Sequence, residues 1–304
     1  MTWLSAPTEP ALRAALRRVA PELADGPIVL RGVEPDAGPQ WRAATAVVDG
    51  RYVVKFAWAE PPARRLRHEI RVIAALRAAA PEVPLPAVAA TSQDPVLLIT
   101  HRADAVPFFQ FRSPAAAAEL AAALAALHHP RVLAALRPLP PSTPPTTTDT
   151  LRAGLDSWIR ADQRDLVRAW CDRADRILAT PGRQVVVHGD LHGDNHLWDP
   201  VSSRLRLVVD WETAGLGEPE FDLRCLPGDA GVDLFTATVA AYQRIAGTAL
   251  DVDRILAWHV RTVLGDARWR AEAQVTLPGG RTPEQWVDDL HARLTAPSLG
   301  SAPW

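Results

Sequence analysis

Between Val185 and Leu223 the chain gathers the side chains best suited to chemistry. They are His188-Gly-Asp190-Leu-His-Gly-Asp-Asn195, then Asp210-Trp-Glu212, then Glu218-Pro-Glu-Phe-Asp222-Leu. Two short apolar runs, Val185 to Val187 and Leu205 to Val209, each lead into an acid. Carboxylates and an amide so arranged supply oxygen ligands for a hard cation and its phosphates. A hydroxyl attacking a γ-phosphate must be oriented and must lose its proton, and Asp190 is the candidate for that work. Asn195 and Asp210 are the expected magnesium ligands. Glu212, on the same face as Asp210 if the strand continues, is the candidate for a second metal. His188 reads as an anchor of the loop through hydrogen bonds rather than a reacting group.

Composition sharpens this reading. The chain holds 33 Lys and Arg, yet Lys55 is its one lysine and Asn195 its one asparagine. Such Ala-, Arg-, Pro- and Trp-rich usage points to a genome biased against AT-rich codons, where Arg replaces Lys wherever charge alone matters. A Lys that survives marks a place needing a compact ammonium that a planar guanidinium does not imitate. Lys55 lies in Val53-Val-Lys-Phe-Ala57, and strand alternation puts Val53, Lys55 and Ala57 on one face, with Val54 and Phe56 on the other. A solvated edge charge is the ordinary reading of a strand lysine. Its uniqueness argues otherwise, as does Glu69 in the helical run Arg64 to Arg77. That acid is placed to pair with Lys55 and fix it on the α- and β-phosphates.

Asp190-x4-Asn195 has the spacing of the protein-kinase catalytic loop, with His188 two residues before the acid and Asp210 at the place of the second metal-binding carboxylate. Gly189 and Trp211 stand where protein kinases carry Arg and Phe. In this the chain resembles the aminoglycoside phosphotransferase family of small-molecule kinases, which writes the loop as HGDxxxxN, followed by DWE and a later DL. The resemblance implies an α+β, two-lobed protein-kinase-like fold, with a small antiparallel-sheet N-lobe and a larger, mainly helical C-lobe. Residues 1–101 are then the nucleotide-binding lobe and 102–304 the catalytic and acceptor-binding lobe. The implied reaction moves the γ-phosphate of ATP or GTP, with Mg2+, to a hydroxyl of a small molecule. Adenine is expected on backbone groups near Thr100 to Arg102, and Asp222 is expected to be a buried carboxylate supporting the loop. The nucleotide loop matches poorly, because Gly32 and Gly38 do not make G-x-G-x-x-G; phosphate contact falls to the backbone near Gly38 to Trp41.

These groups need elements to hold them. Leu12, Leu16, Val19 and Leu23 predict an opening helix over Glu9 to Leu23. Pro27 to Gly32 reads as a strand, and Glu34 to Pro39 as a turn. Ala43 to Val48 and Arg51 to Ala57 flank Asp49-Gly50, a hairpin signal. Further strands are expected at Val83-Pro-Leu-Pro86 and Pro95 to Thr100. Pro114 to His129 reads as a helix ending in Leu-His-His, with His128 and His129 in packing or helix-dipole roles. Residues 130–150 are Pro/Thr-rich and read as an extended linker. Helical periodicity resumes from Thr150 to Ala179. Three more helices are expected at Asp233 to Ala246, Asp253 to Ala273 and Pro283 to Leu294, the last with the capping box Thr282-Pro-Glu-Gln285.

In the resembling family the helices after the catalytic stretch wall the acceptor. The candidates here are Asp266, Trp269, Glu272 and Trp286, with Asp288 and Asp289 beside them. Acids suit a polyamine such as an aminoglycoside; Trp258, Trp269 and Trp286 suit a bulkier antibiotic such as a macrolide. Arg261, Arg268 and Arg270 count against a cationic acceptor. A metabolic amino alcohol or amino sugar is equally permitted.

Bulk properties exclude other classes. A net charge of −2 with 22% charged residues gives no footprint for nucleic acid or an anionic membrane surface. No apolar run approaches the roughly 20 residues that span a bilayer, and the opening residues do not read as a secretion leader. Cys171 and Cys225 match no metal spacing and read as reduced thiols. The expectation is a cytoplasmic protein without an obligatory protein partner. Two rival readings stand. His188, Asp190, His192, Asp194 and His196 alternate, so on a strand they would face one side as the metal cluster of a hydrolase; the two glycines among them argue for a loop. The other rival is a catalytically dead binding protein of kinase fold, which the complete set Lys55, Glu69, Asp190, Asn195 and Asp210 opposes.

Overall fold

The hairpin signal at Asp49-Gly50 sets the first sheet. Both residues adopt positive φ (53° and 64°), and Arg51 N–H closes the turn on Val48 O at 3.1 Å. A primed turn of this kind matches the twist of the strands it joins. In the computed structural model, which describes residues 2–33, 38–111, 113–137, 139–142, 146–274, 276–299 and 304, the chain divides into two units. One comprises Met1–Val106 with Leu197–Ala214; the other comprises Pro107–His196 with Gly215–Trp304. The expected turn at Glu34 to Pro39 lies mostly outside the described residues.

The first unit is built on a five-stranded antiparallel sheet of β1 (Ile28–Arg31), β2 (Ala43–Val48), β3 (Tyr52–Ala57), β4 (Val88–Gln93) and β5 (Val96–His101), in the order β1-β2-β3-β5-β4. Helix α1 (Glu9–Val19) lays Leu12 and Leu16 against one face, where Val54, Phe56, Leu97 and Ile99 complete a core sealed from solvent. Helix α2 (Glu60–Ala79) packs on β3 and β5, and Lys55 has the opposite parity to Val54 and Phe56. Three expectations are corrected. Pro21 ends α1 at Val19, so Leu23 falls in a separate 3-10 turn. Helix α2 starts at Glu60, four residues early, because Pro61 and Pro62 sit in its first turn, where no N–H is needed. The strand expected at Val83–Pro86 is instead Val88–Gln93, since Pro84 and Pro86 have no N–H to give a ladder.

The second unit is mainly helical. Helix α3 (Ala116–Leu127) is followed by α4 (Pro130–Ala135), α5 (Thr148–Arg152), α6 (Arg164–Leu178), α7 (Val232–Ala246), α8 (Val252–Ala273) and α9 (Pro283–Leu294). Helix α7 packs on α3, and α8 on α6 and α9. A two-stranded ribbon pairs Val185–Val187 with Gly215–Gly217, Val187 opposite Gly215. The stretch 130–150 is not an extended linker throughout. It opens with α4, capped by His129, and ends in α5; Ser142 N–H donates to Leu216 O, and Leu216 N–H to Pro140 O, both at 2.8 Å. Pro138 and residues 143–145 of that stretch lie outside the described residues. Gly215 is required here, because a Cβ would stand 2.6 Å from Pro140 O. The helix expected from Thr150 to Ala179 is interrupted, since Gly154 takes φ 74° and only 3-10 turns intervene before α6. Among the described residues no helix is long and apolar enough to cross a membrane.

Candidate active site

Alternation along β3 delivers Lys55 to the face of the sheet that carries α2. Its Nζ donates to Glu69 Oε1 at 2.6 Å and to Asp210 Oδ1 at 2.9 Å. Burial works to lower the Lys55 pKa, but the two carboxylates outweigh it and hold the ammonium above its ordinary value. Glu69, 2% exposed, also accepts Trp211 N–H at 3.3 Å, so one acid ties the sheet, α2 and the turn after the strand Leu205–Val208. Trp211 is sealed in and donates Nε1–H to Val208 O at 2.9 Å.

That turn corrects the expectation for Glu212. The strand stops at Val208, Asp210 takes a left-handed conformation (φ 67°), and Trp211–Thr213 is a 3-10 turn. Strand parity therefore does not place Glu212 with Asp210. Glu212 instead accepts Arg65 Nε–H at 3.1 Å, while Arg65 Nη2 donates to Gln40 O at 2.8 Å beside the expected nucleotide loop. Burial and then the neighbouring Asp210 push the Glu212 carboxyl above its usual range, against the pull of Arg65.

The backbone expected to take adenine, Thr100 to Arg102, already has partners in the first unit. Thr100 is buried in the sheet opposite Val53 and Val88. The N–H groups of His101 and Arg102 are donated to Ala87 O (2.8 Å) and Arg51 O (2.7 Å), and the Arg102 side chain reaches Gly50 O. Those two donors are committed to the sheet rather than open to a base.

In the second unit, buried Val185–Val187 leads directly into the loop 188–195. Asp222, 1% exposed, accepts His188 N–H on Oδ2 and Gly189 N–H on Oδ1, both at 2.9 Å, and faces His128 Nε2 at 3.0 Å. Burial works to raise its carboxyl, but the His128 hydrogen bond, with His188 and the Gly189 N–H, holds it below the usual range. His128 in turn meets Tyr242 Oη at 3.1 Å, so it is part of the loop's support rather than a packing or dipole residue alone. Gly189 adopts φ 85°, a conformation open to glycine, which lets the chain turn sharply into Asp190.

Asp190 is fixed through its main chain. Its N–H donates to His188 Nδ1 at 3.2 Å, and its carbonyl accepts Asn195 Nδ2–H (2.8 Å) and His192 N–H (3.0 Å). Its carboxylate stays 45% exposed. Asn195, 6% exposed, spends its amide nitrogen on Asp190 and keeps Oδ1 as an acceptor end. Asp229 holds the next turn by accepting Gly193 N–H at 2.9 Å; burial pushes this carboxyl up to about 6.

The three loop histidines do not converge on a metal. His188 is buried and His196 is buried against Phe108 (5.1 Å between rings), with its imidazole pushed down to about 3 by burial. His192 is part-exposed and accepts Asp194 N–H on Nδ1 at 3.3 Å. Among the described residues no group of three or more His, Cys, Asp or Glu is arranged to hold a metal ion. Magnesium asks for less, since it keeps several waters and takes one or two protein oxygens. Taken each in its own unit, Asp210 is a part-exposed carboxylate and Asn195 carries an amide oxygen, both oxygen donors of the type magnesium takes.

The acceptor candidates are largely occupied. Asp266 accepts Arg270 Nε–H at 3.1 Å and Glu272 accepts Arg268 Nε–H at 2.7 Å, each one turn apart on α8. Asp288 is held by Arg160 and Gln163, and Asp289 by Arg281. Trp269 is half-exposed with Arg270 over its ring, and Trp286 is half-buried. Sequence reasoning missed Arg65 and Arg224 and gave Glu218, though within the acid-rich stretch, no role of its own. Glu218 sits by a cavity of about 210 Å³ walled by Phe221, Trp258 and Gln184, and its carboxylate is saturated by Arg254, Trp258 Nε1 and Gly182 N–H. Alternation and helical period carry no signal for these pairs.

Residues 30–270 match the family described as Phosphotransferase enzyme family (APH). Viomycin phosphotransferase of Streptomyces vinaceus is 38% identical over 76 residues, a match spanning 23% of this chain and only 26% of that relative. A GDP and kanamycin complex of APH(2")-IIia superposes with a TM-score of 0.68 at 14% identity, over 91% of this chain and 95% of that one. A choline/ethanolamine kinase family protein from Mesorhizobium loti does so with a TM-score of 0.65 at 18% identity, over 95% of each chain. These likenesses establish a two-lobed, kinase-like α+β fold.

Proposed function

Because the chain belongs to the phosphotransferase enzyme family, we propose that it transfers the γ-phosphate of a nucleoside triphosphate, with Mg2+, to a hydroxyl of a small molecule. The observation that carries this is the ammonium of the one lysine in the chain, held by Glu69 and Asp210 at 2.6 and 2.9 Å. Held so, Lys55 offers a fixed positive charge to phosphate oxygens. Asp190, part-exposed with its main chain pinned at both ends, takes the hydroxyl proton. Asp210 and Asn195 are the residues that would hold magnesium, which when bound neutralises charge on the phosphate oxygens. His188, Asp222 and His128 keep the loop in place. ATP and GTP both suit these roles, and the GDP-bound relative supports a purine nucleotide. The site of action is the cytoplasm, where the buried free thiol of Cys171 stays reduced.

The acceptor is a hydroxylated small molecule, and the antibiotic class is supported by the relatives named for viomycin and bound to kanamycin. A metabolic amino alcohol is a second reading. It is favoured by the arginines that already neutralise Asp266, Glu272, Asp288 and Asp289, leaving that surface poorly suited to a polycation. The test is nucleoside diphosphate release from Mg·ATP or Mg·GTP against a panel of aminoglycosides, macrolides, viomycin and amino alcohols. An acceptor-dependent signal that Asp190→Ala abolishes while nucleotide still binds is the expected result. Turnover by Asp190→Ala at the unmutated rate would overturn the assignment.

A further inference from the structure

We propose that Arg224 is a positioning residue for Asp190, bringing from downstream the cation that this loop cannot carry at residue 189; the proposal rests on the phosphotransfer reading above. Gly189 sits at φ 85°, where any side chain is strained, so its backbone excludes an arginine at that point of the loop. Arg224 arrives instead from the segment after Asp222. It is 3% exposed, and its Nη2 donates to Gly189 O at 2.7 Å while lying 3.6 Å from Asp190 Oδ1. Nη1 donates to Phe221 O at 2.9 Å, and the guanidinium stacks on the Phe221 ring, 3.9 Å from its centre.

A buried guanidinium is unfavourable unless an acid faces it, and the acid that faces this one is Asp190. The main chain of Arg224 is fixed as well. His259 is fully buried; its Nδ1–H donates to Arg224 O at 2.7 Å, and its Nε2 accepts Arg293 Nε–H at 3.2 Å. Burial pushes His259 down to about 3, so the ring is neutral and this tautomer is the one that satisfies both contacts.

The hydrogen bonds that hold Asp190 act on its backbone, and Arg224 meets its carboxylate as an ion pair rather than a hydrogen bond. Among the described residues its side chain meets two ionisable partners, Arg224 at 3.6 Å from Oδ1 and His192 Nε2 at 3.7 Å from Oδ2. A guanidinium clamped by two carbonyls cannot follow the carboxylate. It selects the rotamer with Oδ1 turned inward and leaves Oδ2 for the acceptor hydroxyl. A lysine keeps the charge but lacks the fork that spans Gly189 O and Phe221 O.

The test uses the full-length protein with Mg·ATP as the probe and water as phosphoryl acceptor, read as inorganic phosphate release. Arg224→Gln, Arg224→Lys, Asp190→Asn and the double variant Asp190→Asn/Arg224→Gln are compared for kcat and for the Kd of a fluorescent ATP analogue. Arg224→Gln should lose about 10- to 100-fold in kcat, the scale of a misplaced catalytic group. Its nucleotide Kd should stay within about twofold, and the loss should vanish in the Asp190→Asn background, where there is no carboxylate to position. Arg224→Lys should fall between wild type and Arg224→Gln, and it carries the test if Arg224→Gln does not fold. Unchanged kcat in both Arg224 variants, an equal fold-loss in both backgrounds, or kcat and Kd worsening together would each overturn the proposal. Wild-type turnover by Asp190→Asn would instead overturn the role given to Asp190, and with it the premise.

Discussion

Replacing Asp222 by Asn removes one charge and exchanges one acceptor oxygen for a donor, at a site 1% exposed. Both carboxylate oxygens are in use: Oδ1 takes Gly189 N–H, and Oδ2 takes His188 N–H beside His128. Whichever way the amide is turned, its NH2 faces one of these backbone donors, which then has no acceptor. An unsatisfied buried donor costs about 1–3 kcal/mol, and the surviving bond loses its charge assistance. A destabilisation of about 3 kcal/mol follows, or about 6–12 °C in Tm for a unit of this size. The Asp222 carboxyl is held below its usual range, so its stabilising contribution is full above the unfolded value near 3.9 and fades as pH falls through the lower folded value. The gap between wild type and Asp222→Asn should therefore be complete at pH 7 and shrink in strong acid. Because His188 and Gly189 lead into Asp190, kcat should fall by about 100-fold with nucleotide affinity little changed. Calorimetry across pH, with phosphate release from Mg·ATP, reads both effects. An Asp222→Asn protein with wild-type Tm and kcat at pH 7 would refute the claim that this carboxylate holds the loop.

Lys55→Arg should lower kcat at least 100-fold in the same assay, since a planar fork cannot place one nitrogen at 2.6 Å from Glu69 and 2.9 Å from Asp210. Glu212→Gln should lose less than about tenfold in kcat and leave the magnesium dependence unmoved, because this side chain is engaged by Arg65; a shifted magnesium titration would return it to the metal. Asp229→Asn keeps an oxygen for Gly193 N–H but cannot ionise. With the native carboxyl pushed up to about 6, the folded protein binds that proton more tightly than the unfolded chain. Wild-type stability should thus drop as pH climbs from about 4 to about 6, and the variant should lack that drop in urea midpoints taken across the window.

What could be read in advance followed local rules. The Asp49-Gly50 hairpin, the two faces of β3 and the meeting of Lys55 with Glu69, 14 residues apart, come from turn chemistry and alternation. The capping box at Thr282 and the helix it opens are of the same kind. The sequence reading departs from the structure where a left-handed residue is not announced by a neighbouring glycine. Asp210 at φ 67° ends a strand that composition would extend, and Glu212 is lost to Arg65 as a result. Gly154 and Pro21 are breakers that override a continuing apolar period. The supports of the loop were hidden for another reason. His128 and Asp222 are 94 residues apart, and Arg224 and Gly189 35 apart, and no periodicity within one element names a partner in another.

Asp210 joins Lys55 across 155 positions of chain. A ribosome adding about 5–20 residues per second needs some 8–30 s to travel that distance. During that interval β1 to β5 are already synthesised, while the second acid of their ammonium does not yet exist. Residues Leu197–Ala214, which close the first unit, are made only after all of Pro107–His196. The first unit is therefore complete only once Ala214 has been made, and a chain truncated anywhere before Asp210 keeps Glu69 but not the second carboxylate of its lysine.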